Sequence, residues 1–263
     1  MTVLEALRVA ATRIGRLDAE VLLAHLLGTT RLAMLMAGDR VIDGIAFDAL
    51  VARRAMGEPV AYITGSREFW SLDLAVTPDV LIPRPDSETL IEVAIAHFGA
   101  RAPATILDLG TGSGALLLAA LSVWPEATGV GLDISEPALA VARGNAARLG
   151  IPASFAVGSW GGTGAAHDLI LCNPPYIAAS VELPRDVVDW EPAGALFAGA
   201  DGLDDYRAIA PALAAQLAPG GIACIEIGHD QGESAALLFR AAGMKVELHR
   251  DLAGLPRCLG VTN

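Results

Sequence analysis

The stretch Ile106-Leu-Asp-Leu-Gly-Thr-Gly-Ser-Gly114 is an apolar run that ends in an aspartate and opens into glycines at alternate positions. With Thr105 in front, it predicts a buried strand over 105–109, a tight turn and a helix over 112–124. Gly110, Gly112 and Gly114 permit a ligand to approach the backbone closely and present N–H groups at a helix N-terminus. The spacing departs from G-x-G-x-x-G, because the third glycine position holds Ala115, or Leu117 when counted from Gly112. That departure disfavours a dinucleotide pyrophosphate. Another ligand, or plain strand-to-helix packing, remains open.

Downstream, strands are expected over 129–133, 154–157, 168–172 and 222–227, and helices over 137–149, 204–217 and 231–242. Upstream, 88–98 is a further helix. Such alternation implies a mainly parallel sheet with helices on both faces. The last two strands, 245–250 and 258–261, are joined too briefly for a crossover and should form an antiparallel hairpin. The fold class is therefore α/β. Residues 1–56 carry helical signals only: Thr2 and Glu5 make a capping box, and Asp18 is placed to cap a helix with Val21, Leu22 and Leu26 on its apolar face. A short helix over 32–36, with Met34 and Met36 as packing residues, and another over 45–56 complete a small bundle. Residues 57–86 read as a connector in which 72–76 and 80–82 pair as strands, and 87–263 as the main domain.

Composition narrows the classes of function. The 263-residue chain has 53% hydrophobic and 18% charged residues, which excludes intrinsic disorder. A net charge of −12 argues against coating nucleic acid through phosphates. Mean hydropathy is +0.49, yet the long uncharged run over 208–225 is broken by Pro211, Pro219, Gly220 and Gly221, so no bilayer span is expected. No secretory leader is visible, and a cytoplasmic protein is expected. Cys172, Cys224 and Cys258 are too far apart for a zinc ribbon, and no metal is expected.

Three further strings carry chemistry. Asp133 ends the second strand of the main domain, where a carboxylate can accept both hydroxyls of a ribose; Ser135 is the better cap for the helix that follows. Asp108 suits loop support slightly better than ligand contact. Trp160, in a glycine-rich loop, can stack on a purine or cover the core. Asn173-Pro-Pro-Tyr176 follows the fourth strand of the main domain. Its prolines remove two N–H donors and fix φ, leaving carbonyl oxygens and the Asn173 amide to accept from a planar NH2, with Tyr176 as a flat face.

Together these segments resemble a class I, Rossmann-like S-adenosylmethionine-dependent methyltransferase acting on a planar NH2 group. Asn-Pro-Pro-Tyr is common to adenine-N6 DNA methyltransferases and protein glutamine-N5 methyltransferases. The connector discriminates: Gly57-Glu-Pro-Val-Ala-Tyr-Ile-Thr-Gly65, Arg67-Glu-Phe-Trp70 and Leu81-Ile-Pro-Arg-Pro-Asp-Ser-Glu88 resemble the family that methylates peptide chain release factors. The related enzymes acting on a large-subunit ribosomal protein typically lack the Pro-Asp-Ser/Thr-Glu continuation.

The resemblance implies transfer of methyl from S-adenosylmethionine to the glutamine of the Gly-Gly-Gln loop of release factors, giving N5-methylglutamine and S-adenosylhomocysteine and modulating translation termination. It implies that Gly110, Thr111, Gly112, Ser113, Gly114, Asp133 and Trp160 hold the cofactor, Asn173 bordering it. Asn173, Pro174, Pro175 and Tyr176 would hold the glutamine. Release factors are the implied partners of a monomer that needs no membrane or nucleic acid, with residues 1–56 recognising them. Two departures stand out: Ser159 where the family often has an acidic residue, and Trp190-Glu-Pro192 where Phe-Glu-Pro is usual. Rival readings are a nucleic-acid amino-methyltransferase, a ribosomal-protein glutamine methyltransferase, a non-catalytic binding module and a nicotinamide oxidoreductase. Arg84 and Glu88 either close over the cofactor or staple connector to core. Phe69 and Trp70 either wall the cleft or pack. His25, His97, His167, His229 and His249 receive no role.

Overall fold

Thr2 and Glu5 close the expected capping box, the Glu5 N–H donating to Thr2 Oγ1 and the Thr2 N–H to Glu5 Oε2, and start helix α1 (Val3–Ile14). Val3, Ala6, Leu7 and Ala10 form its buried stripe at helical spacing. A computed structural model describes residues 1–263 and divides them into two units: Met1–Ser66 with Leu183–Trp190, and Arg67–Glu182 with Glu191–Asn263.

In the first unit, α2 (Arg16–Leu26) begins directly after Gly15, whose φ of 82° breaks the chain. Asp18 therefore lies inside the first turn and pairs with Arg54 rather than capping the helix. Leu22 and Leu23 are fully buried, whereas Val21 and Leu26 are only partly so. Helix α3 (Arg31–Met36) is capped by Thr30, and α4 (Gly44–Ala55) by Asp43, which accepts from two backbone N–H groups. Met34 packs as expected; Met36 is 82% exposed because six residues of helix turn only one side inward. The connector continues this unit through an unanticipated helix, α5 (Val60–Thr64), whose Ile63 joins the same core. The break thus falls after Ser66 instead of at 56.

A two-stranded hairpin, β1 (Ser66–Phe69) and β2 (Leu72–Ala75), starts at the last residue of the Met1–Ser66 stretch and otherwise belongs to the second unit. Trp70 and Ser71 turn it with φ of 52° and 62°, held by the side chains of Glu88 and Glu68 accepting their N–H groups. Residues 80–82 form no strand, contrary to expectation, because the Ile82 N–H donates to Glu191 Oε2 instead of to β2.

The chain then runs through α6 (Glu88–Phe98), β3 (Thr105–Leu109), α7 (Ala115–Val123), β4 (Thr128–Asp133), α8 (Glu136–Leu149), β5 (Ser154–Val157) and β6 (His167–Cys172). A segment with the short helix α9 (Arg185–Val188) belongs to the first unit. The chain finishes with α10 (Asp204–Gln216), β7 (Leu217–Glu226), α11 (Gly232–Ala241), β8 (Lys245–Arg250) and β9 (Pro256–Thr262).

The seven-stranded sheet has the order β5-β4-β3-β6-β7-β9-β8. It is parallel from β5 to β7, with β9 antiparallel to both its neighbours. Alternation along each strand splits the core in two. Ile106, Leu169, Leu171 and Cys224 face α6 and α7, while Leu107, Leu109, Ile170 and Ile225 face α10 and α11. No helix is long and apolar enough to cross a membrane.

Candidate active site

Strand order reverses between β3 and β6, so their carboxyl ends splay apart and leave a crevice. A cavity of about 410 Å³ lies there, within the size range of small-molecule sites. Its lining gathers Gly110–Ser113 after β3, Asp133–Ser135 at the end of β4 and Gly158–Trp160 after β5. Asn173 and Pro175 after β6 line it as well, whereas Gly114, Pro174 and Tyr176 of the expected set do not.

The glycine turn is built around two carboxylates. Gly110 and Thr111 both donate N–H to the Leu132 carbonyl, locking the loop across to β4. Thr111 Oγ1 donates to Asp108 Oδ2 at 2.6 Å, and the Gly112 N–H donates to Asp133 Oδ2 at 2.9 Å. Asp108 is 1% exposed and off the lining, so it supports the loop. Burial pushes its carboxyl up to about 7, opposed by Thr111 and reinforced by the charge of Asp133. Asp133 Oδ1 accepts from the Ser135 N–H at 2.9 Å, and Ser135 caps α8 as expected. Each Asp133 oxygen has thus used one lone pair and keeps another for a ligand hydroxyl.

Trp160 closes one wall. A Cβ on Gly110 would lie 3.2 Å from its ring, so ring and loop touch only because residue 110 has no side chain. Trp160 Nε1 donates to Asp205 Oδ1 at 2.9 Å, and its carbonyl accepts from Gln216. Asp205, near the start of α10, also lines the cavity, as does Ser159. Burial raises the Asp205 carboxyl, and the Trp160 bond holds it down.

On the opposite side, Asn173 Nδ2 donates to Ser87 Oγ at 3.3 Å, which leaves its Oδ1 free to accept. Pro175 lines the cavity; Pro174 is buried and off the lining. Tyr176 is also off the lining, its hydroxyl donating to Glu226 Oε1 at 3.2 Å and its carbonyl accepting from Gln231. Gly114 stands behind the loop against Ala142. None of the five histidines lines the cavity.

Several lining residues escaped the reading of the sequence. Val80, Leu81 and Pro83 come from the former connector, Ser87 from the first residue of the expected main domain, and Pro192 and Phe197 from the loop after β6. Glu191 explains how they meet: it is buried, accepts from Ile82 and forms an ion pair with Arg84. Arg84 is therefore a staple, and Glu88 is another, accepting from the Trp70 N–H. A glutamate flanked by aromatic and proline was the available signal, but its partner lay far away in sequence. Asn145, fully buried in mid-helix α8, was missed too; its amide bonds both backbone groups of Ala75 and the Ser113 carbonyl. Phe69 both packs in the core and lines the cavity.

A sulfonium nucleoside fits this lining. Asp133 offers paired acceptors, Trp160 an aromatic wall, and Gly110–Ser113 a turn of backbone at the cavity. Fold and crevice define an α/β protein of the class I methyltransferase type. Residues 3–65 match the family described as "PrmC N-terminal domain" and residues 101–227 that described as "Methyltransferase domain". The release factor glutamine methyltransferase of Rhodospirillum rubrum is 44% identical over 96% of this chain and 80% of its own. That of Bordetella pertussis is 44% identical over 99% of each. A methyltransferase from Pyrococcus furiosus shares the fold alone, with a TM-score of 0.54 at 17% identity over 72% of this chain and 87% of its own. The chain belongs to the release factor glutamine methyltransferase family.

Proposed function

We propose that this enzyme transfers the methyl group of S-adenosylmethionine to the side-chain nitrogen of a release factor glutamine, the one in the Gly-Gly-Gln loop. The observation that carries this reading is Asn173: its Nδ2 is engaged by Ser87, so Oδ1 is the acceptor left beside the cavity. Gly110 to Ser113, Asp133 and Trp160 hold the cofactor, whose sulfonium supplies an electrophilic methyl when bound.

An amide nitrogen is a weak nucleophile, since its lone pair is delocalised, and too weak an acid for a side chain to deprotonate beforehand. The protein's task is alignment and acceptance of the NH2 hydrogens. Asn173 Oδ1, together with backbone carbonyls of the rigid Pro-Pro segment, favours positive charge growing on nitrogen in the transition state. Such a role requires no general base before transfer: the sulfur–methyl bond breaks as the nitrogen–methyl bond forms, and the methylated amide then releases its extra proton to solvent. The acidic chain fits a protein partner better than a phosphate backbone.

Incubation with labelled S-adenosylmethionine and a release factor tests the reading. Label is expected on the wild-type factor and not on its Gln→Ala loop variant; equal label on both removes the substrate. Asn173→Ala should cut turnover about 100-fold or more while cofactor binding changes little. The first unit is read as the part that recognises the release factor, because Leu32, Met36, Val41 and Ile45 expose 70–87% of their surface there. Met36→Glu with Ile45→Asp should raise KM for the intact factor and spare kcat. An unchanged KM argues against that role.

A further inference from the structure

Glu226 is the least expected group near the site. It is a carboxyl at the end of the apolar strand β7, 1% exposed, and it does not line the cavity. Its Oε1 accepts from Tyr176, while Oε2 is buried without a hydrogen-bond partner. Ser87 lies beside it: the hydroxyl holds the carboxyl down, although the geometry stops short of a formed bond to Oε2. Ser87 is also the acceptor for Asn173 Nδ2. A buried acid therefore sits behind both the serine that orients Asn173 and the tyrosine that ends the same motif.

Resting on the reading of Asn173 above, we infer that Glu226 is a positioning residue: its carboxylate sets the direction of a hydrogen-bond chain through Ser87 and so fixes which atom of the Asn173 amide faces the substrate. An ionised carboxylate only accepts. The Ser87 O–H must then donate to Glu226, its oxygen must accept from Asn173 Nδ2, and Asn173 Oδ1 is left to receive the substrate NH2. A protonated Glu226 can donate to Ser87 instead. The serine hydrogen then turns to Asn173, which can accept it only through Oδ1, so the amide is held in its flipped orientation and an NH2 group would face an NH2 group.

The surroundings decide the charge state. Burial pushes Glu226 up to about 7, against the neighbouring Ser87 hydroxyl, the Arg257 guanidinium and the Tyr176 hydroxyl, and with the charge of Asp86. Arg257, on β9, pairs with Asp86 and Asp251. The other titratable groups facing Glu226 are Tyr206 on α10, Cys172 on β6 and Cys258 on β9. Burial raises both thiols and both phenols, so these groups stay neutral as Glu226 titrates. Tyr176 thus remains a donor throughout.

The test is single-turnover methyl transfer to a release factor from pH 6 to 9, with cofactor dissociation constants measured by titration. In the wild type the rate should fall about tenfold per pH unit below a midpoint near 7. Glu226→Gln offers one acceptor and one NH2 where the carboxylate offers two acceptors, and Ser87→Ala removes the link. Each should lower the rate at pH 8 by about 10- to 100-fold, flatten the acid limb and leave cofactor affinity within about twofold. In the free protein, the Asn173 side-chain NH2 resonances, assigned by their loss in Asn173→Ala, should titrate near 7 in the wild type and not in Ser87→Ala.

Three results overturn the inference: an acid limb that survives in Ser87→Ala, an undiminished rate in Glu226→Gln at pH 8, or cofactor affinity falling in step with the rate. Asn173→Ala, run alongside, separates two failures. If it weakens cofactor binding as much as turnover, the reading of Asn173 itself fails. If it lowers turnover alone while the other two variants behave as wild type, only the role of Glu226 fails.

Discussion

Gly110 carries two constraints in one residue. Its φ of 72° is one that an L side chain adopts at a cost of roughly 1–2 kcal/mol, and its missing Cβ is what lets the Trp160 ring approach. Gly110→Ala should therefore strain the loop and push the ring outward. The expected result is a cofactor dissociation constant raised about tenfold, read by calorimetric titration, with a fall in Tm. Unchanged affinity would mean that the ring can move without cost. Asp133 and Trp160 were readable as candidates because a carboxylate at a strand end and an aromatic in a glycine loop have few packing uses. The sequence left Tyr176 as a flat face for the substrate. The fold turns its hydroxyl to Glu226, a residue with no local link to the motif.

At the level of elements, the strands and helices around the sheet follow from periodicity, and β3, β4, β5 and β6 fall within a residue or so of their expected spans. The former connector does not. Its residues 80–82 have a strand-like pattern, yet Glu191 captures the Ile82 N–H and the Arg84 guanidinium, and the segment becomes a wall of the cavity. A buried acceptor supplied by a distant loop outcompetes a neighbouring strand because a buried N–H must be paired somewhere. Glu191→Gln keeps an acceptor but loses the charge opposite Arg84. It should destabilise the protein by about 1–3 kcal/mol and weaken cofactor binding through Val80, Leu81 and Pro83. Thermal melting and cofactor titration check both; no change in either would show the segment to be held by other contacts.

Over the whole molecule, two buried carboxyls set the pH dependence of stability. Asp108 and Glu226 are both pushed up to about 7, from ordinary values of 3.8 and 4.5. Between those values the unfolded chain has lost protons that the folded protein keeps, so stability falls as pH rises through this window and levels off above 7. His167, lowered by burial, acts with the opposite sign below 6.5, but it is one group against two. Exposed Asp201, held near 2 by Arg207, matters only at more acid pH. Tm should therefore decrease from about pH 5 to 7.5. Asp108→Asn, unable to ionise, should lose a share on the order of 2–4 kcal/mol of that decline. A parallel pair of Tm curves would contradict the assignment. The amino-acid sequence by itself determined the alternating α/β core, the glycine turn, the Asn-Pro-Pro-Tyr segment and the helical character of the first 56 residues. Hydrophobic period, turn chemistry and proline geometry are local properties. Only the tertiary structure decided which wall each segment forms, where the first unit ends, and that Asn145, Glu191 and Glu226 secure the loops. Those roles depend on buried polar groups finding partners across the fold, and no local pattern encodes the partner.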